Sequence, residues 1–144
     1  MSKEAEFVEA ARSLIGARWR HRSRKPWAVD CVGLLVLAGE KVGLDVKAPK
    51  VYGREPWEQM LQAGLRENFG DPLPAKEARP GDVACIRWRK GEPSHIALVG
   101  DHPEGWLTLI HAHNLHGVCE HSLAPPFDKV IVEVYRPWPD TSSQ

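Results

Sequence analysis

The sequence predicts a single α+β domain in which N-terminal helices are followed by an antiparallel β-sheet. In the first half of the chain, apolar residues recur at the spacing of a helix. In the second half, after the Arg-Pro-Gly-Asp turn at residues 79–82, short apolar runs alternate with turn residues. A length of 144 residues is enough for one domain with one hydrophobic core. We therefore expect one domain over residues 1–144, with helices on one side of a sheet of about five strands.

The first predicted helix covers residues 4–16. Its apolar residues lie on one face, and Gly16 closes it. A basic stretch follows at residues 18–25, with the sequence Arg-Trp-Arg-His-Arg-Ser-Arg-Lys. This stretch is either a solvated loop or a contact for an anionic polymer or a partner protein.

The second predicted helix begins at Cys31 and ends near Gly43. Asp30 is a good N-cap residue, and glycine is common just beyond the last turn of a helix. At Cys31, the unpaired N–H groups of the first turn and the helix dipole would favour a thiolate. The competing interpretation is a buried cysteine that serves only as a small apolar residue.

The third predicted helix runs from Glu55 to about Asn68, and its apolar face is interpreted as core packing. Five short runs beyond it are predicted strands. They are residues 83–88, 95–100, 107–112, 118–122 and 130–135. The end of the chain, residues 137–144, is expected to be flexible.

Two histidines of the predicted sheet are candidates for chemistry with Cys31. His95 stands at the start of one strand and His111 lies inside the next. If these strands are adjacent and antiparallel, a tight hairpin brings both rings onto one face. One nitrogen of His95 would then take the thiol proton while His111 held the other nitrogen. This arrangement predicts a thiolate–imidazolium pair near neutral pH.

A metal site is the alternative interpretation of the same region, because four histidines and a cysteine are close together in sequence. They are His111, His113, His116, Cys119 and His121. The sequence has no Cys-x-x-Cys or His-Glu-x-x-His spacing, so we expect neither a metal nor another cofactor. Cys85 and Cys119 are interpreted as inert core or strand residues.

Composition argues against several classes of function. The 19 Lys and Arg residues balance 19 Asp and Glu residues, which disfavours a general nucleic-acid-binding protein. The 3 cysteines do not make a disulfide framework, and no apolar stretch is long enough to span a membrane. The first residues lack the apolar core of a secretory signal, so we expect the protein to be made in the cytoplasm without a signal peptide.

Four motifs, in order along the chain, resemble those of the NlpC family of papain-like cell-wall peptidases. Residues 30–34, Asp-Cys-Val-Gly-Leu, resemble that family's Asp-Cys-Ser/Ala-Gly-Leu motif, and residues 15–19 resemble the stretch that precedes it. Residues 79–83 and 94–98 resemble the family's Pro-Gly-Asp turn and Ser-His-Val-Gly-Ile strand. His111 matches the position of the third catalytic residue. The resemblance extends over nearly the whole chain.

The resemblance implies a papain-like fold and a cysteine endopeptidase that cuts the stem peptides of peptidoglycan. It makes Cys31 the nucleophile, His95 the general base and His111 the residue that orients the base. It also implies three substrate contacts: Trp19, Asp30 and Ser94.

Two residues depart from the family pattern. Trp19 stands where the family usually has tyrosine, and its indole N–H can donate but not accept a hydrogen bond. Val32 replaces the usual small or hydroxylated residue after the cysteine. Both departures concern substrate preference and rate more than the class of reaction.

The resemblance is strongest to members associated with bacteriophage tails. It implies that a phage or phage-like particle delivers the protein to the bacterial wall, with tail proteins as partners and with no role for nucleic acid or membranes. Two other functions stay open for the same fold. One is an amidase or acyltransferase that works through a thioester at Cys31, and the other is a non-catalytic tail-assembly protein.

Overall fold

A computed structural model describes residues 1–49, 52, 60–88 and 93–139 of the chain. Its α-helices are α1 (Lys3–Arg12), α2 (Cys31–Lys41) and α3 (Met60–Phe69). Its first strands are β1 (Arg18–Trp19), β2 (Arg24–Lys25), β3 (Ala28–Val29) and β4 (Leu73–Pro74). The longer strands are β5 (Val83–Ile86), β6 (His95–Asp101), β7 (Leu107–His113), β8 (Gly117–Ser122) and β9 (Ile131–Tyr135). The chain is therefore an α+β protein with its helices mainly in the first half, as predicted.

The main sheet has the strand order β4-β9-β5-β6-β7-β8, and each neighbouring pair is antiparallel. All five predicted strands are present in it. The described residues add a sixth, β4, which pairs with β9 at the edge of the sheet. The expectation of about five strands was therefore one strand too low, because a two-residue edge strand that contains a proline has no alternating pattern to detect.

The two faces of the sheet pack against different partners. Ile96 and Ile110 belong to the larger core cluster, which α1 and α2 complete. Val99 and Leu109, one position out of phase with them, belong to a second cluster on the other face. This alternation follows from the two-residue period of a strand, and it leaves the helices on the Ile96 side.

The basic stretch before Cys31 is not the loop that we considered. Residues 18–29 form a small sheet in the order β1-β3-β2. The Ser23 hydroxyl donates to the Ala28 carbonyl at 2.7 Å, and the small sheet leads directly into α2. Strands of two residues carry too little periodicity to be predicted from sequence.

The helix boundaries differ from the prediction in one place. α1 ends at Arg12, and residues 13–16 form turns that close at Gly16, whose φ of 99° suits glycine. α2 begins and ends as predicted. The described part of the third helix is Met60–Phe69, and the predicted start of this helix, residues 55–59, lies outside the described residues.

Part of the stretch expected to be flexible, residues 137–144, is packed against the core, and residues 140–144 lie outside the described residues. The Trp138 ring meets the Phe7 ring edge-on, with 5.3 Å between centroids, and it covers the larger core cluster. Arg136 pairs with the buried Asp82 at 2.9 Å and so fixes the turn at residues 79–82. Within the described ranges, no helix has the length and apolar character needed to cross a membrane.

Candidate active site

Asp30 organises the start of α2. One of its carboxylate oxygens accepts a hydrogen bond from the Gly33 N–H at 2.8 Å, which is the N-cap bond expected from the sequence. The other oxygen accepts from the Arg22 N–H at 2.7 Å and from the Tyr52 hydroxyl at 2.5 Å. Asp30 is only 4% exposed, so its observed contacts position the helix. Contact of Asp30 with substrate stays a prediction.

Tyr52 is a site residue that the sequence did not reveal. Besides the bond to Asp30, its carbonyl oxygen accepts from Arg22 Nε at 2.8 Å and lies 3.1 Å from His21 Nε2. Burial raises the pKa of Tyr52, and the Asp30 carboxylate raises it further, so the phenol stays a hydrogen-bond donor. Tyr52 stands in a stretch without periodicity, and no local pattern could have paired it with Asp30.

Cys31 occupies the first turn of α2 and faces the start of β6. The backbone N–H groups of Ile96 and Val32 lie near its sulfur and lower the pKa of the thiol. Ile96 directly follows His95, so the helix start and the first residues of β6 meet at the sulfur. Cys31 is 7% exposed.

His95 and His111 are in direct contact. β6 and β7 are adjacent and antiparallel, and His95 Nε2 lies 3.1 Å from His111 Nδ1. The two ring planes are nearly perpendicular, at 89°, with 5.1 Å between centroids. This contact uses Nε2 of His95. The other ring nitrogen, Nδ1, is therefore the one that can interact with the Cys31 thiol.

Burial favours the neutral form of both groups. It raises the pKa of Cys31 to about 12, and the neighbouring Asp30 carboxylate acts in the same direction. It lowers the pKa of His95 to about 3, and the charge of a protonated His111 would lower it further. Both shifts oppose the thiolate–imidazolium pair predicted from sequence, because each favours the neutral form of its group. The nearby backbone N–H groups lower the pKa of the thiol by less than its loss of water raises it.

A third histidine extends the pair. His111 Nε2 lies 2.8 Å from His121 Nε2, and His121 Nδ1 lies 3.0 Å from the Ser122 carbonyl oxygen. Burial lowers the pKa of His111 to about 4. The sequence had indicated His121 only as a possible metal ligand, because its partner on the adjacent strand depends on register. We call His95, His111 and His121 the histidine row.

Aromatic side chains cover the histidine row. The Trp88 ring centroid lies 5.4 Å from that of His95 and 5.9 Å from that of His111. The Phe127 ring lies 4.3 Å from His121. These rings cover part of the row, and burial is the largest influence on the pKa values of His95 and His111.

The described residues do not support the alternative metal site. Across residues 1–49, 52, 60–88 and 93–139, no group of three or more His, Cys, Asp or Glu side chains could hold a metal ion. The 2.8 Å between His111 Nε2 and His121 Nε2 is a hydrogen-bond distance. Two imidazole nitrogens on one tetrahedral zinc would stand about 3.3 Å apart, from Zn–N bonds of about 2.05 Å.

The other predicted residues are placed as follows. Trp19 is half-buried against the larger core cluster, with its ring 6.3 Å from that of His21. Ser94 is half-buried, and its N–H donates to the Ile86 carbonyl at 3.1 Å. Contact of either residue with substrate stays a prediction. Cys85 is fully buried in β5, and burial raises its pKa to about 12, as an inert core thiol requires.

The fold of this chain is similar to that of solved NlpC/P60 proteins. An NlpC/P60 family protein from Bacillus cereus matches with a TM-score of 0.68 and 16% identity, over 94% of this chain and 40% of that one. The NlpC/P60 domain of the peptidoglycan hydrolase SagA matches with a TM-score of 0.64 and 18% identity, over 92% of this chain and 97% of that domain. NlpC2 from Trichomonas vaginalis matches with a TM-score of 0.67 and 17% identity, over 96% of this chain and 47% of that one.

This chain therefore has the NlpC/P60 fold. It spans less than half the length of the Bacillus cereus and Trichomonas vaginalis proteins but nearly all of the SagA domain. No protein-family model matches the sequence, and no curated protein sequence does.

Proposed function

We propose that this protein is a cysteine endopeptidase that hydrolyses peptide bonds in the stem peptides of peptidoglycan, with Cys31 as nucleophile. The observation that carries the proposal is the meeting of the first turn of α2 with the start of β6. There the Cys31 sulfur lies against the Ile96 N–H, next to the hydrogen-bonded pair of His95 and His111. The fold that the chain shares with the SagA peptidoglycan hydrolase domain supports the substrate class.

Each residue has one part in the proposed reaction. His95 Nδ1 takes the proton of the Cys31 thiol as the sulfur attacks the peptide carbonyl carbon. The backbone N–H of Cys31 helps to stabilise the oxyanion. When the C–N bond breaks, His95 gives the proton to the departing amine. Water then attacks the thioester and loses a proton to His95. The S–C bond breaks to release the new carboxyl group, and the departing sulfur takes the proton from His95 to restore the thiol.

The thiol of this enzyme is activated during the reaction and not before it. Burial favours the neutral forms of Cys31 and His95 in the free protein, because it raises the pKa of the thiol and lowers that of the imidazole. The proton therefore moves as the new S–C bond forms, with His111 holding the ring of His95 in place.

Digestion of purified peptidoglycan tests the proposal. We expect the wild-type protein to release fragments cut within the stem peptides, identified by chromatography and mass spectrometry. We expect Cys31→Ala to lower the rate by at least about 10³-fold, since removal of a nucleophile costs this much or more in other enzymes. Cys85→Ala removes a thiol from the core and serves as the matched control. We expect this variant to digest peptidoglycan at the wild-type rate.

Two results would contradict the proposal. Release of the sugar chains by cleavage of the bond that joins them to the stem peptide would indicate an amidase. The absence of any product from the wild-type protein would favour the non-catalytic tail-assembly function.

Delivery to the wall is a separate part of the proposal. We propose that a phage or phage-like particle carries the protein, with tail proteins as its partners. Mass spectrometry of purified particles tests this part. Peptides of this chain in the tail fraction would support it, and their confinement to the bacterial cytoplasm would contradict it.

A further inference from the structure

The histidine row ends at a group that can only accept a hydrogen bond. The contact of 3.0 Å between His121 Nδ1 and the Ser122 carbonyl oxygen requires a proton on that nitrogen. A neutral His121 then has a lone pair on Nε2. This one assignment determines the direction of the next bond in the row.

The remaining protons follow one ring at a time. His111 Nε2, at 2.8 Å, must donate to the lone pair of His121 Nε2, which leaves His111 Nδ1 as an acceptor. His95 Nε2, at 3.1 Å, must then donate to His111 Nδ1. The outcome is a lone pair on His95 Nδ1, the nitrogen that does not contact His111.

One other group could compete for His111. The Cys119 sulfur lies 3.9 Å from His111 Nε2 and could in principle donate a proton to it. That contact is longer and weaker than the 2.8 Å bond to His121, because a thiol is a weak donor. The direction set by His121 therefore prevails.

We propose that His121 is a positioning residue that, with the Ser122 carbonyl, fixes the tautomers of His111 and His95 so that His95 Nδ1 is kept free of a proton. This inference rests on the proposed function, in which that nitrogen receives the thiol proton. A general base must carry a lone pair toward its proton donor. His121 keeps this lone pair on His95 indirectly, through its hydrogen bond with His111, and not by contact with the substrate.

Nitrogen-15 NMR of the full chain with labelled histidine, at pH 8, tests the assignment directly. We expect a proton on Nδ1 of His121 and on Nε2 of both His111 and His95, with a ¹⁵N–¹⁵N coupling across each N–H···N bond. A proton on Nδ1 of His111 in the wild-type protein would overturn the proposal. These spectra do not depend on activity, so they decide the matter even if peptidoglycan is not cleaved.

Three variants add a kinetic test on stem-peptide fragments. His121→Phe keeps the ring contact with Phe127 but removes the acceptor, and we expect kcat to fall about tenfold with KM little changed, as for other outer positioning residues. His121→Gln restores an acceptor for His111 and should recover most of kcat. His116→Phe, at an exposed histidine outside the row, is the matched control and should match the wild type.

The outcomes separate the two proposals. If His121→Phe hydrolyses stem peptides with an unchanged kcat, and its His111 ring nitrogens keep their ¹⁵N chemical shifts, the role of His121 is overturned. The proposed function is then left intact. If the NMR spectra show the ring protons on the assigned nitrogens but the protein cleaves no peptidoglycan, the proposed function is refuted. The tautomer assignment is then retained.

Discussion

Cys31 and His95 show how burial decides chemistry at the scale of single residues. The sequence predicted that Cys31 begins a helix and that His95 begins a strand, because the Asp-Cys pair before an apolar run and the Ser-His pair before a strand are local patterns. Their charge states could not be predicted in this way. The loss of water around each group depends on side chains distant in sequence, such as Trp88 beside His95.

The raised pKa of Cys31 has a kinetic consequence. Because that pKa is about 12, the thiolate fraction should rise about tenfold for each pH unit between 6 and 9. We expect alkylation of Cys31 by iodoacetamide to rise with the same slope, as followed by mass spectrometry of the labelled peptide. An ordinary thiol, with a pKa of about 8.5, would begin to level off in this range.

The control for this prediction is His95→Ala. With a neutral imidazole beside the thiol, the substitution should leave the slope of the alkylation profile unchanged. A fast rate that is already constant below pH 7 in the wild type, and that is lost in His95→Ala, would show a preformed ion pair and contradict this assignment of charge.

Tyr52 and His121 could not be found at this scale. Tyr52 reaches Asp30 across 22 positions of sequence, and His121 meets His111 only through the register of β7 and β8. Neither residue lies in a motif that marks its partner. The sequence supplies residue types and spacing, whereas such pairs follow from the tertiary packing.

At the scale of elements, α2 is the element that brings the cysteine to the sheet. Its start was predictable because the N-cap and the apolar run are adjacent in sequence. The small sheet that precedes it was not, since its strands have two residues each. The two elements touch at Gly33, where a Cβ atom would lie 2.2 Å from the Ser23 carbonyl oxygen.

From this close contact at Gly33 we expect two glycine substitutions to change the free energy of unfolding in opposite directions. Gly33→Ala should lower the free energy of unfolding by about 1–3 kcal/mol or more, because backbone atoms must move to admit the methyl group. Gly64→Ala, in the middle of α3 with open space around it, should raise it by about 0.5–1 kcal/mol through helix propensity. Urea denaturation of both variants measures these changes.

The activity of the same two variants completes the test. Gly33→Ala should also lower the rate on stem-peptide fragments, since it displaces the turn that carries Cys31, whereas Gly64→Ala should not. Equal stability of Gly33→Ala and the wild type would contradict the close contact between α2 and the small sheet.

At the scale of the whole molecule, the fold class was predictable and the substrate is proposed. The helical period in the first half and the short runs in the second required helices on one face of an antiparallel sheet, and that is the arrangement of α1, α2 and the central strands. The edge strand β4 and the packed Trp138 were beyond prediction, because each depends on contact with a distant element.

The central claim is that Cys31 forms a covalent acyl intermediate with a peptidoglycan stem peptide. The measurement that tests it most directly is a mass spectrum of the chain after incubation with stem-peptide fragments and a rapid acid quench. We expect a hydroxylamine-sensitive adduct, with the mass of the acyl part of the stem peptide, on the tryptic peptide that contains Cys31. Turnover of the fragments by Cys31→Ala, or an adduct on any other residue, would contradict the claim.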